Sequence, residues 1–89
     1  MKTDEMDLIA EDTDTPMLRM DGYDDCCIGV MERFGMDPIF CYSIEKVIKK
    51  MMTRDRMSEQ DAYDFFYFNQ IGAWMGDGTP CFISHEESR

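Results

Sequence analysis

Apolar residues in the segment after Ser43 recur with the spacing of one helix face. They stand at positions i, i+3, i+4, i+7 and i+8, and are Ile44, Val47, Ile48, Met51 and Met52. This period is typical of an amphipathic α-helix. Ser43 is a suitable N-cap, and Glu45 lies in the first turn, where the helix dipole favours a negative charge. The pattern predicts a helix that begins after Ser43 and buries one stripe.

A second helix is predicted over residues 59–75, "EQDAYDFFYFNQIGAWM", with Ser58 as its N-cap and Asp61 three residues later. On a wheel of about 100° per residue its apolar residues point in nearly every direction. One face, expected to lie on a sheet, gathers Ala62, Phe65, Phe66, Asn69, Gly72 and Ala73. The opposite face carries a second stripe, formed by Tyr63, Tyr67, Ile71 and Trp74.

Strands are predicted on either side of the two helices. The runs "CCIGVMERF" and "PIFCYS" indicate a β-hairpin, because Gly35 and the Asp37-Pro38 pair between them form turns. The run "CFI" at 81–83 predicts a short last strand, and "PMLRM" at 16–20 is a candidate edge strand. Strands grouped before helices favour an α+β fold, a small antiparallel sheet with two helices on one face.

The predicted domain plan has three parts. Residues 1–15 are an acidic lead-in that need not be ordered, residues 16–84 form a single α+β domain, and residues 85–89 are a polar tail. A chain of 89 residues has room for one domain only.

The second aromatic stripe raises the question of what covers it. A helix that is apolar all round is normally buried, but a sheet on one side and a helix on a flank leave no third layer for this face. Tyr and Trp are enriched at protein interfaces, because they combine a large apolar body with a polar tip. We therefore expect Tyr63, Tyr67, Ile71 and Trp74 to form an interface. The alternative is that the first helix packs on this stripe and makes it core.

The formal net charge of −10 changes the range of partners. An acidic chain repels nucleic acid backbones, so direct DNA or RNA binding is disfavoured and basic protein surfaces are favoured. The first 25 residues are especially acidic, with Asp4, Glu5, Asp7, Glu11, Asp12, Asp14, Asp21, Asp24 and Asp25. One basic face stands out on the first helix, formed by Lys46, Lys49, Lys50 and Arg54. It is either a solvated face or an anion site.

Catalytic and metal-binding patterns are missing from the sequence. The single histidine, His85, lies in the polar tail, where nothing is expected to hold it as a general base. Four cysteines at 26, 27, 41 and 81 lack the paired spacing of a zinc site and are expected to behave as small hydrophobic residues. We expect no enzyme activity, cofactor or metal. Neither a signal peptide nor a membrane span is visible, which predicts a cytoplasmic protein.

The segments "DGYDD…IGV…RFG" and "MSEQDAYDFFYFNQIGAWMGDGTPCF" resemble a group of short uncharacterised proteins encoded by tailed bacteriophages. The likeness covers roughly residues 20 to 83, and its most specific part is "GAWMGDGTP" at the exit of the second helix. The resemblance implies an origin in a phage genome and a working life in the cytoplasm of an infected host. It transfers no reaction, cofactor or site residue.

Three hypotheses of function follow. The first is a non-enzymatic binding protein, a homodimer built on the second helix that modulates or inhibits a host protein with a basic surface. The second is an acidic nucleic-acid mimic that blocks a host DNA-binding or defence protein. The third is a binder of a nucleotide at a dimer seam, where the four basic residues of the first helix would meet phosphates and an aromatic side chain would stack on the base.

Overall fold

The computed structural model describes residues 1–13, 17–71, 76 and 78–85, with only the backbone of Gln70 and Ile71. Its helices are α1 (Thr3–Glu11), α2 (Ile44–Arg54) and α3 (Glu59–Phe66), and a π-helical segment (Tyr67–Ile71) continues α3. Its strands are β1 (Cys27–Arg33), β2 (Met36–Ser43) and β3 (Cys81–Ile83), and a single 3₁₀ turn (Asp24–Cys26) precedes β1. The predicted α+β class is confirmed.

The three strands form one sheet in the order β1-β2-β3. β1 and β2 pair antiparallel as the predicted hairpin, and Gly35 occupies the turn with a φ of 72°, a conformation that glycine adopts without strain. β3 pairs with β2 in parallel, so the sheet is mixed and the expectation of a purely antiparallel sheet is corrected. The reason is the connection: β2 and β3 are joined through α2 and α3, and a long helical crossover permits parallel pairing whereas a short turn does not.

The core lies between the sheet and the helices. β2 contributes Phe40 and Tyr42, both fully buried, and the Tyr42 hydroxyl accepts a hydrogen bond from the Met20 backbone N–H at 2.9 Å. Burial raises the pKa of Tyr42 to about 12. Four residues of the apolar stripe predicted for α2, Ile44, Val47, Ile48 and Met51, are buried, and the fifth, Met52, is half-buried against the core. Ser43 caps α2 as predicted, accepting the Lys46 N–H at 3.2 Å.

The acidic lead-in differs from the expectation, because helix α1 forms there and buries Met6 completely. The prediction considered only the carboxylates of this segment, but the segment also contains Met6, Ile9 and Ala10, which pack on the core. Arg19 also offsets the charge, since its guanidinium binds Asp7 at 2.6 Å and Asp24 at 3.0 Å. The hydrogen bond from the Thr3 hydroxyl, and after it Arg19, lower the pKa of Asp24 despite partial burial.

Residues 17–20, expected as an edge strand, have no regular structure, and Met17 and Met20 are buried as members of the hydrophobic core cluster instead. Pro16, the first residue of that prediction, lies outside the described residues. Within the part of the chain that the structure describes, none of the helices has the length and apolar character needed to cross a membrane.

Candidate functional site

An aromatic surface lies on α3 and the start of the π-helical segment. We define it by Phe65, Tyr67 and Phe68, whose side chains are 42%, 52% and 86% exposed. Tyr63 stands at its edge, half-buried and packed against the core, with its ring stacked on Tyr67 at a centroid distance of 6.4 Å and an interplanar angle of 14°. Two of the predicted interface residues, Tyr63 and Tyr67, are thus brought together.

The burial of two other residues fixes the orientation of this helix. Ala62 and Phe66 are fully buried, and the Phe66 ring meets Phe82 of β3 edge-on at 5.0 Å. Ser58 caps α3 by accepting the Asp61 N–H at 3.2 Å. Phe65, three residues after Ala62, was expected on the same inner face, but it is 42% exposed and is not sealed into the core.

The π-helical segment explains why an α-helical wheel does not give the correct side-chain positions beyond Phe66. Hydrogen bonds from i to i+5 widen the helix, so side chains after Tyr67 no longer follow the α-helical period. Asn69, expected on the inner face, is exposed and donates from its amide to the Phe65 carbonyl at 3.1 Å. The Ile71 side chain and Trp74, the other two predicted interface residues, lie outside the described residues. Phe68 was missed as a contact candidate, although its position between the two stripes was visible in the sequence.

Acidic residues border the aromatic surface. Glu59, Asp61 and Asp64 are exposed on α3, and Asp64 accepts a hydrogen bond from the Gln60 side chain at 3.1 Å. Burial first, and then the charges of Glu45 on α2 and Glu59 on α3, raise the pKa of Tyr63. The exposed acids, which we call the rim, and the exposed rings lie on the same helical segment.

The basic residues of α2 line an open cleft of about 520 Å³. Its walls are Lys46, Lys49, Lys50, Thr53 and Arg54 on the helix, with Asp25 and Cys26 from the 3₁₀ turn. The structure therefore brings all four predicted anion-contact residues to one place. Their spacing on one helix face was sufficient to predict this, but the opposite wall was not visible in the sequence.

Two of the four basic side chains are already engaged within the fold. Arg54 lies over the Tyr23 ring at 4.6 Å, donates to the Tyr23 hydroxyl at 2.7 Å and binds Asp55 at 3.0 Å. Lys50 binds Asp25 at 2.7 Å, and this hydrogen bond lowers the pKa of Asp25 against the opposing effect of burial.

The other two basic side chains differ from this pair. Lys46 and Lys49 are exposed, and neither has an ion pair with an acid among the described residues. They are therefore the members of the cleft whose charge remains available to a bound anion.

His85 is held more firmly than the sequence suggested. Its Nε2 lies 2.9 Å from the Ser43 hydroxyl and 4.0 Å from Glu45, and its backbone N–H donates to the Glu45 carboxylate at 2.8 Å. Ser43 is fully buried and already serves as the cap of α2. These contacts attach the C-terminal segment at Ser84 and His85 to the start of α2.

The described residues contain no group of three His, Cys, Asp or Glu side chains placed to hold a metal ion. Comparisons with protein-family models, with curated proteins and with solved structures found no match.

Proposed function

We propose that the protein acts by binding another protein, without catalysing a reaction, and that the aromatic surface of α3 is the contact. Exposure is the observation that carries this proposal. Phe65, Tyr67 and Phe68 lie within four consecutive residues and keep large parts of their side chains in solvent. Burying such rings against a partner is favourable, and a clustered aromatic surface without cover is unusual for a monomer.

The charge around the aromatic surface supports a basic partner. The exposed acids at the start of α3 lie beside the rings, and the whole chain carries a net charge of −10. A positive partner surface would be steered toward the rim and then bury the rings. The resemblance to phage proteins supports a host protein as this partner and the cytoplasm of the infected cell as the setting, where binding would modulate or inhibit the host protein.

A second copy of the chain is the other partner that we propose for the same surface. A two-fold dimer would place the same patch of each copy against its counterpart, which is the commonest arrangement of homo-oligomers. Tyr63 and Tyr67 would then lie at the seam, as expected from the sequence together with Ile71 and Trp74.

Sedimentation of the wild-type protein over a range of concentrations tests self-association, and a Tyr67→Ser, Phe68→Ser double variant tests the surface. Both side chains are exposed, so the variant is expected to fold. Phe34→Ser is the matched control, since Phe34 is fully exposed at the hairpin turn, away from α3. We expect a dimer in the wild type and in the control, and a monomer in the double variant.

Quantitative capture from host lysate with the same three proteins tests the host partner. We expect a specific protein to be captured by the wild type and the Phe34→Ser control and lost with the double variant. A wild-type protein that is monomeric at all concentrations would contradict the proposed homodimer. Equal capture by all three proteins would show that the aromatic surface is not the contact.

The basic cleft supports a second candidate function, the binding of a phosphorylated small ligand such as a nucleotide. The specific observation is that Lys46 and Lys49 face the cleft while their charges lack an acidic partner among the described residues. Thermal shifts with ATP and with inorganic phosphate test it. A stabilisation that a Lys46→Ala, Lys49→Ala variant loses and Lys2→Ala keeps would favour this candidate, and no shift would reject it.

Nucleic-acid mimicry has one supporting observation. α1 is an ordered helix, and its exposed acids include Asp4, Asp7 and Glu11 on one face at i, i+3 and i+7. Arg19 neutralises part of this row through Asp7. A mimic should compete with DNA for a basic DNA-binding protein, and Asp4→Asn, Glu11→Gln should weaken that competition more than the double aromatic variant does.

A further inference from the structure

Two thiols stand opposite each other on neighbouring strands of the sheet. Cys41 in β2 and Cys81 in β3 are register partners and both are free, and burial, together with the proximity of Cys81, raises the pKa of Cys41. Phe40 and Tyr42, on either side of Cys41, belong to the core cluster. Because side chains alternate along a strand, Cys41 points to the other face of the sheet, where Cys81 meets it.

We propose that Cys41 and Cys81 form a reversible oxidisable pair, which a small disulfide such as glutathione disulfide converts into an intramolecular disulfide. The geometry carries this proposal. Neighbouring strands lie about 4.8 Å apart, and disulfides join residues whose Cα atoms are roughly 4.4–6.8 Å apart. Register partners on adjacent strands therefore meet the Cα distance requirement.

The reaction is a two-step thiol–disulfide exchange. The Cys81 thiol gives its proton to solvent, and its thiolate attacks one sulfur of the oxidant, forming a mixed disulfide and releasing one molecule of the small thiol. The Cys41 thiol then loses its proton and attacks the Cys81 sulfur, which forms the Cys41–Cys81 bond and releases the second thiol. The protein loses two electrons and two protons, and the small disulfide gains them as two thiols.

Accessibility sets the order of the two steps. Cys81 is half-buried on a short edge strand, whereas Cys41 is 8% exposed in the central strand. Burial, and after it the contact with Cys81, raises the pKa of Cys41 to about 11. Since the thiolate is the attacking species, Cys41 is a poor first nucleophile and acts second, on a sulfur that is already beside it.

The same geometry makes the disulfide reversible. The Cβ atoms of register partners are separated by about the strand spacing of 4.8 Å, whereas an unstrained disulfide prefers roughly 3.8 Å. Strained disulfides are more easily reduced. β3 is only three residues long, so the bond would fasten β3 to β2 in the oxidised protein and release it on reduction.

Oxidation of the folded protein with glutathione disulfide, followed by alkylation of remaining thiols and tryptic mapping, tests the proposal. Trypsin cuts after Arg33, Lys46 and Arg56, which separates Cys41 from Cys81 and both from the Cys26–Cys27 pair. We expect two of the four thiols to disappear, an intact mass lower by about 2 Da, and a cross-linked peptide pair joining Cys41 to Cys81. Millimolar reduced glutathione should restore all four thiols.

Three variants sharpen the assignment. Cys41→Ser should accumulate the mixed disulfide at Cys81, Cys81→Ser should give no rapid product, and Cys26→Ser should behave as the wild type. The wild-type map needs no variant and decides the main claim. Loss of thiols at Cys26 or Cys27 as fast as at Cys41, a persistent mixed disulfide in the wild type, or an oxidised form resistant to glutathione would each overturn the proposal.

Discussion

Helices α2 and α3 follow one another in the chain, yet the fold uses them differently. α2 buries a full apolar stripe, and its basic residues Lys50 and Arg54 are bonded to neighbouring segments. α3 buries only Ala62 and Phe66, while Phe65, Tyr67 and Phe68 remain in solvent. The fold therefore engages the apolar stripe and part of the basic face of α2, but only one face of α3.

The two helices differ in where their large apolar side chains lie. In α2, the apolar stripe lies on the side that packs against the core. In α3 and the start of the π-helical segment, large aromatic side chains also lie outside the buried face. This exposure is the feature on which the proposed protein contact rests.

The largest expected effect contrasts two phenylalanines of this region. Phe66→Ala removes a fully buried ring that contacts Phe82, and we expect the free energy of unfolding to fall by about 3–5 kcal/mol. Phe68→Ala removes a ring that is largely exposed and should change it by no more than about 0.5 kcal/mol. Urea unfolding followed by circular dichroism measures both. Equal losses would mean that Phe68 belongs to the core.

A smaller loss of stability is expected when either N-cap serine, Ser43 or Ser58, is replaced, and the two losses should differ. Ser43→Ala removes the acceptor of the Lys46 N–H and a buried contact with His85, and should cost about 1–2 kcal/mol. Ser58→Ala removes the acceptor of the Asp61 N–H at an exposed position, and should cost about 0.5–1 kcal/mol. The same unfolding measurement applies. A larger loss for Ser58→Ala would contradict the view that α2 is the more firmly integrated helix.

The smallest expected effect is on the stability of the fold at acidic pH. Burial disfavours ionisation of Glu45, but hydrogen bonds from the His85 backbone N–H and the Ser84 hydroxyl outweigh it and lower the pKa of Glu45. A carboxyl whose pKa is lowered in the folded state stabilises the fold at pH values above its ordinary pKa. It loses that contribution as the pH falls through its folded-state pKa.

The thermal midpoint should therefore fall on acidification below the ordinary glutamate range, and part of that fall should vanish in Glu45→Gln. Glu59→Gln, exposed in the first turn of α3, is the control and should keep the wild-type pH dependence. If Glu45→Gln follows the wild-type curve throughout, the attachment of the C-terminal segment to α2 contributes nothing to stability.

Local features of this protein were predictable from the sequence. The stripe of α2, both serine caps and the hairpin around Gly35 depend on neighbours within a few residues, and all are present in the structure. α1 was not predicted, because counting its acids hid the contribution of Met6 and the distant charge of Arg19. The basic face of α2 could be predicted from the sequence. Its contacts could not, because Asp25, which binds Lys50, and Tyr23, which Arg54 covers, come from an earlier segment.

The sequence by itself determined which segments become helices and strands after residue 26, because periodicity and capping are properties of short stretches. Only the tertiary structure decided the parallel pairing of β3, the widened turn after Phe66 and the meeting of Cys41 with Cys81. The first and last of these depend on where two remote segments lie against each other, and that is set by the packing of the whole core. The exposed rings of α3 are the combined result: the sequence supplies them, and the packing leaves them uncovered.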